Sequence, residues 1–145
     1  MNKTLDISII IPSFNTKNSI KVLISLFLNQ KFLPKEIIII DSGSNLEIEK
    51  YLYNLSKVNK TLIYKKVSKA YPGTARNIGI KLANSKYIAF FDVNTFPDNF
   101  WLEKSYNFIN NSSLNYLIDT RITLSNSYLK TINKFSTYGK NAYIA

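Results

Sequence analysis

Few residues in this chain are able to do chemistry. It contains no Cys and no His, which removes thiolate nucleophiles, Cys-based zinc sites and the commonest general base and metal ligand. Chemistry is left to carboxylates, Lys, Tyr and hydroxyls. Nine acidic residues are present, and their placement separates them. Asp6 and Glu36 open apolar runs, Glu47, Glu49 and Glu103 fall in helical segments, and Asp119 lies in a strand-like one. Asp41 and Asp92 instead close the runs "EIIIID" and "KYIAFFD", with Asp98 a few residues beyond. An aspartate at a strand end serves either as a turn former, through side-chain to backbone hydrogen bonds, or as a group facing a ligand. Two of them at one sheet edge, with Arg76 entering at a helix start, favour the second role for the set.

The elements that must position these residues follow from periodicity. "DISIIIP" at 6–12 and "EIIIID" at 36–41 are continuous β-branched runs, the pattern of strands covered on both faces in a parallel sheet. Between them Ile20, Leu23, Ile24, Phe27 and Leu28 recur at helical spacing, with Thr16 or Asn18 available as cap. "SGSN" reads as a turn, "LEIEKYLYNLSK" as a second helix with Glu47 and Glu49 near its start, and "TLIYKKV" as a third strand. "PGTARNIGIKLAN" opens a third helix with Ala75, Ile78, Gly79, Leu82 and Ala83 on one face, and "KYIAFFD" is a fourth strand. The spacing then predicts a helix over 98–112 with Asp98 as N-cap, a strand in "NYLIDTRIT", and a last helix in "LSNSYLKTINKFSTYG". The apolar "KNAYIA" after Gly139 reads as if a further strand should follow. This alternation predicts an α/β fold, a mostly parallel sheet with helices on both faces, in one domain over 1–145. Ligands of such sheets sit outside the carboxyl ends of the strands, where Asp41 and Asp92 fall.

Bulk properties exclude several classes. No apolar run approaches a membrane span, and the start of the chain has no small-residue cleavage site after its apolar run, so export is disfavoured. The net charge of +10 is compatible with phosphate-bearing ligands or anionic lipid. The 19 cations are scattered, however, with "KK" at 65–66 the one adjacent pair, and no nucleic-acid motif accompanies them. Nucleic acid is therefore disfavoured as a partner. There is no G-x-G-x-x-G and no G-x-x-x-x-G-K-[ST], against a dinucleotide fold or a P-loop. A phosphorylated receiver domain needs an acidic pair after the first strand, where this chain has "PSFN".

Four segments in order, "SIIIPSFN" at 8–15, "EIIIIDSGSN" at 36–45, "YPGTARNIGIKLANSKYIAFFDVNTFP" at 71–97 and "WLE" at 101–103, together resemble the N-terminal, nucleotide-sugar-binding half of inverting family 2 glycosyltransferases, enzymes of the GT-A fold. The resemblance implies a nucleotide-diphosphate sugar donor, usually a UDP-sugar, transferred to a glycan or lipid-linked acceptor in an envelope polysaccharide pathway. It implies that Phe14 stacks on the nucleobase, Pro12 lends backbone contacts, Asn15 braces the loop and Asp41 accepts a hydrogen bond from the base. Arg76 is implied near the base and diphosphate, where a guanidinium gives several directed bonds. Asp92-Val93-Asn94 stands at the family's Asp-x-Asp, implying Asp92 on ribose and metal and Asn94 as a ligand of Mg²⁺ or Mn²⁺. Asn94 departs from that pattern, because an amide oxygen carries no charge, and the metal is in question for that reason.

In the family the catalytic base, an Asp or Glu, lies in a C-terminal half, so it is expected beyond residue 145 and the domain is expected to be truncated, with a partner chain as one way of completing it. The implied location is cytoplasmic, with peripheral contact at the inner face of the membrane as an option. The rival reading is a non-catalytic or truncated α/β nucleotide-binding or assembly module whose exposed sheet edge pairs with a partner.

Overall fold

A computed structural model of the chain describes residues 3–111, 113, 118–124, 128–134, 143 and 144. The elements run β1 (Thr4–Ser13), α1 (Lys17–Leu28), β2 (Leu33–Asp41), α2 (Leu46–Val58), β3 (Leu62–Lys66), α3 (Pro72–Leu82), β4 (Tyr87–Phe90) and α4 (Trp101–Asn111). They are followed by β5 (Ile118–Leu124), β6 (Tyr128–Lys134) and β7 (Tyr143–Ile144). The main sheet has the order β3-β2-β1-β4-β7, and every pairing in it is parallel.

The isoleucine runs are continuous because both faces of the sheet are covered. Ile9, Ile11, Ile37 and Ile39 join Leu23 and Phe27 of α1, Leu52 of α2 and Leu102 of α4 in one core. Ile10, Ile38 and Ile40 pack on the other face with Ala75 of α3. Gly79 lets α3 lie close on that face, since a Cβ there would collide with Ile10 Cγ2. Chain reversal between β3 and β4 thus carries α3 across the face opposite α1 and α2, with its first turn at the carboxyl edge.

The predicted fourth strand ends early, at Phe90, although Phe91 N still donates to Ile10 O at 3.0 Å. Phe91 then turns inward, edge-on to Phe27 at 4.8 Å and to Trp101 at 4.7 Å. The helix predicted from Asp98 begins at Trp101. Asp98 forms the turn before it, its carboxylate accepting from Phe100 N at 2.8 Å and its carbonyl from Trp101 N at 3.1 Å. Buried Gln30 fastens this turn to the end of α1, donating to Asp98 O at 2.6 Å and accepting from Leu102 N at 3.2 Å.

One sequence expectation is overturned. The last helix, predicted over 124–139, is replaced over 128–134 by β6, paired antiparallel with β5 from Ile118↔Lys134 to Leu124↔Tyr128. A weak helical period containing the β-branched pair Thr131-Ile132 yields to a ladder with a neighbouring strand, which local periodicity does not register. Residues 125–127 and 135–139 of that prediction lie outside the described residues. A short strand, β7, forms within "KNAYIA" beside β4. Among the described residues no helix is long and apolar enough to cross a membrane.

Candidate functional site

The strand order reverses at β1, with β2 and β3 to one side and β4 to the other. In open parallel sheets ligands bind beyond the carboxyl ends of the strands, at such a reversal. Phe14, Asp41, Arg76 and Asp92 all come from segments bordering that edge.

The loops after β1 and β2 are tied together by their own polar groups. Asn15 adopts a positive φ of 52°, a conformation asparagine tolerates better than most residues. Its N–H donates to Ser44 Oγ at 2.8 Å, and its Oδ1 accepts from Asn45 N at 2.9 Å. Asn45 in turn caps α2 by accepting from Ile48 N at 3.1 Å. Gly43, at φ 85°, supplies the left-handed turn between them.

Asp41 anchors this arrangement from below. It is wholly buried, at 0% exposure, and its Oδ1 accepts from Ser44 N at 3.1 Å and Ser44 Oγ at 2.5 Å. Its Oδ2 accepts from the Tyr64 hydroxyl at 2.9 Å. Burial, then the bond to Asp41, pushes the Tyr64 pKa well above the ordinary tyrosine value. Three donors thus occupy a group with about four acceptor positions, and one is left.

At the β4 side the arrangement is open. Arg76, one turn into α3, donates through NH2 to Asp92 Oδ1 at 2.6 Å, with the two side chains 32% and 65% exposed. Arg76 Nε is buried and has no hydrogen-bond partner, an uncompensated donor of the kind that structures seldom leave without purpose. Thr95 N donates to Asp92 O at 2.9 Å, turning the chain so that Asn94 is exposed.

Among the described residues no three His, Cys, Asp or Glu side chains gather as a metal site. The residues here do not fit a protein-only metal cage: one carboxylate, already on Arg76, and one neutral amide are too little charge for a dedicated divalent site.

A cavity of about 240 Å³ opens beside this edge, lined by Pro12, Phe14 and Ser42 on the β1 and β2 side and by Lys69, Tyr71 and Pro72 from the β3–α3 connection. Of the residues expected from sequence, Pro12 and Phe14 line it, and Phe14 is 55% exposed. Asn15 and Asp41 hold the loops that shape the edge, while Arg76 and Asp92 pair with each other and are not part of the cavity lining. Sequence reasoning missed Tyr64, Ser44, Lys69 and Tyr71. The Asp-x-x-Ser spacing of Asp41 and Ser44 is a turn signal that could have been used. Tyr64 gave none, since its partner comes from the adjacent strand.

The sequence pattern described as Glycosyl transferase family 2 matches residues 8–137. An uncharacterized glycosyltransferase of Rickettsia bellii is 34% identical over 135 residues, covering 92% of this chain and 19% of that protein. A protein of Escherichia coli named UDP-Glc:alpha-D-GlcNAc-diphosphoundecaprenol beta-1,3-glucosyltransferase WfgD is 26% identical, covering 92% of this chain and 49% of its own. The crystal structure of S. aureus TarS 1-349 in complex with UDP superposes with a TM-score of 0.68 at 22% identity, covering 79% of this chain and 35% of that one. That likeness shows the fold. The chain spans less than half the length of each of these proteins.

Proposed function

The chain belongs to glycosyl transferase family 2, and from that premise we propose that its carboxyl edge binds a nucleotide-diphosphate sugar of the UDP type as donor. One observation carries the reading most. A half-exposed aromatic over a cavity, Phe14, shares a sheet edge with an Arg–Asp pair whose guanidinium retains an unpartnered N–H. Phe14 offers the face on which a base stacks, a contact of about 1–3 kcal/mol, with Pro12 beside it. Arg76 offers directed bonds to phosphate oxygens, and release from Asp92 would free the carboxylate for ribose hydroxyls. Asn15 acts through the loop it braces.

Asp41 is proposed to take a base N–H in its one remaining acceptor position. Since no part of it is exposed, this requires the residues over it to part on binding. A divalent cation, Mg²⁺ or Mn²⁺, at Asp92 and Asn94 would depend on the diphosphate for most of its oxygen ligands, and no step is assigned to it. One relative, WfgD, is named for transfer from UDP-glucose to a diphosphoundecaprenol-linked acceptor. Transfer with inversion to a glycan or lipid-linked acceptor, next to the inner face of a cell membrane, is the corresponding proposal for the complete reaction.

Calorimetric titration of the chain with UDP, UDP-glucose and UDP-N-acetylglucosamine, in Mn²⁺ and in EDTA, tests this. Saturable binding of uridine nucleotides is expected. If no nucleotide binds, the donor-site proposal is lost, whereas equal affinity in Mn²⁺ and EDTA removes the metal alone.

A further inference from the structure

We infer that Tyr71 is the second face of an aromatic clamp, closing on the nucleobase from the side opposite Phe14. The inference rests on the proposed donor site and adds to it a base-stacking residue contributed by the β3–α3 connection.

Tyr71 is 83% exposed, more than any other aromatic with a described side chain. An aromatic ring left in water forgoes the burial that normally accounts for its presence. Its backbone, by contrast, is fixed. Tyr71 is the N-cap residue of α3 in extended conformation, φ −70° and ψ 156°, immediately before a proline, and its carbonyl accepts from Ala75 N at 2.9 Å. Proline at the next position restricts Tyr71 to that extended region. The ring therefore projects from a set point of a set helix, and only two side-chain torsions remain to be ordered when a ligand arrives.

That set point borders the same cavity as Phe14. The lining comes from Pro12 to Phe14, from Ser42 and from Lys69 to Pro72, and the first and last of these stretches each bring one exposed aromatic and one proline. A largely apolar slot with two exposed aromatics in its lining suits a flat heteroaromatic ring better than a sugar, whose hydroxyls would find few partners there. Lys69, which makes no ion pair among the described residues, lines the slot and gives its rim a positive charge. The ligand class is thus a nucleobase carrying phosphate, gripped by stacking, which tolerates any base, and not by edge hydrogen bonds from Tyr71.

The test is titration of the full chain and its Tyr71→Ala, Tyr71→Phe and Tyr71→Leu variants with UDP, UMP and uridine. Tyr71→Ala should weaken all three ligands by about the same factor, on the order of tenfold, the loss of one stacked face. Tyr71→Phe should stay within about twofold of the wild type. Tyr71→Leu should fall close to Tyr71→Ala. Urea unfolding should give one midpoint for all four proteins, because the ring packs against nothing that folding needs. The clamp is refuted if Tyr71→Ala binds like the wild type, if Leu serves as well as Phe, or if the loss appears with UDP but not uridine. Failure of the wild type to bind any nucleotide removes the donor site and the clamp together. Wild-type binding that is lost in Phe14→Ala and untouched in Tyr71→Ala removes the clamp alone.

Discussion

The ends of β2 and β4 both deliver an aspartate to one sheet edge, and the two carboxylates meet opposite fates. Asp41 is fully buried under three donors from Ser44 and Tyr64. Asp92 is mostly exposed and holds one partner, a guanidinium that is itself short of a partner. The first has been absorbed into the scaffold: its bonds set the path of the loop that Asn15 then ties to β1. The second is kept in place by a contact that a charged ligand can replace. A binding edge needs both kinds, since loops that shape a cavity must not move while groups that meet a ligand must exchange partners.

The sharpest way to break this comparison is to remove each carboxylate and measure folding. Asp41→Ala leaves the buried Ser44 donors and the half-buried Tyr64 hydroxyl without an acceptor, and should cost about 3 kcal/mol or more in urea unfolding at neutral pH. A cost below about 1 kcal/mol would mean that the Asp41 network adds no more than an exposed pair does.

Asp92→Ala should do the reverse. Its pair with Arg76 is an exposed one, so the unfolding free energy should change by less than about 1 kcal/mol. Affinity for UDP should nevertheless fall about tenfold, the equivalent of roughly 1.4 kcal/mol. Both measurements on the same protein preparation sharpen the contrast, and a variant that unfolds readily while binding UDP normally would invert it.

How much of this was readable beforehand follows from the range of the interactions. The parallel sheet, its double-sided core and the helix crossing on Gly79 follow from runs and periods within single segments, such as "SIIIP" and "ARNIG", and those segments carry their own pattern. Placing Asp41 and Asp92 at one edge needed only the strand directions. Their opposite burial did not follow, because it depends on Tyr64, two residues before the end of a neighbouring strand, and on Ser44 folding back over Asp41. β6 was misread for the same reason: its partner is β5, and pairing across a hairpin overrode a short helical period. Tyr71 went unnoticed because exposure, which makes it conspicuous, has no signature in sequence.

The smallest effect separates the two aspartates through pH. Tyr64→Phe removes the donor to Asp41 Oδ2 and should cost about 1 kcal/mol at pH 7. The folded protein holds the Tyr64 proton more tightly than the unfolded chain, for burial and the nearby carboxylate both oppose a phenolate. A raised pKa favours the fold fully below the unfolded value, about 10, and that contribution is lost as pH rises above it toward the folded value. Wild-type stability should therefore drop more steeply than that of Tyr64→Phe above about pH 10, and the gap between them should narrow. Tyr51, whose pKa burial also raises, is common to both proteins and cancels in the difference. Urea midpoints for the pair from pH 7 to 11 measure that difference directly. A gap that stays constant across the series would show that the hydroxyl titrates as freely in the fold as outside it, and Asp41 would then be no better anchored from the β3 side than Asp92 is by Arg76.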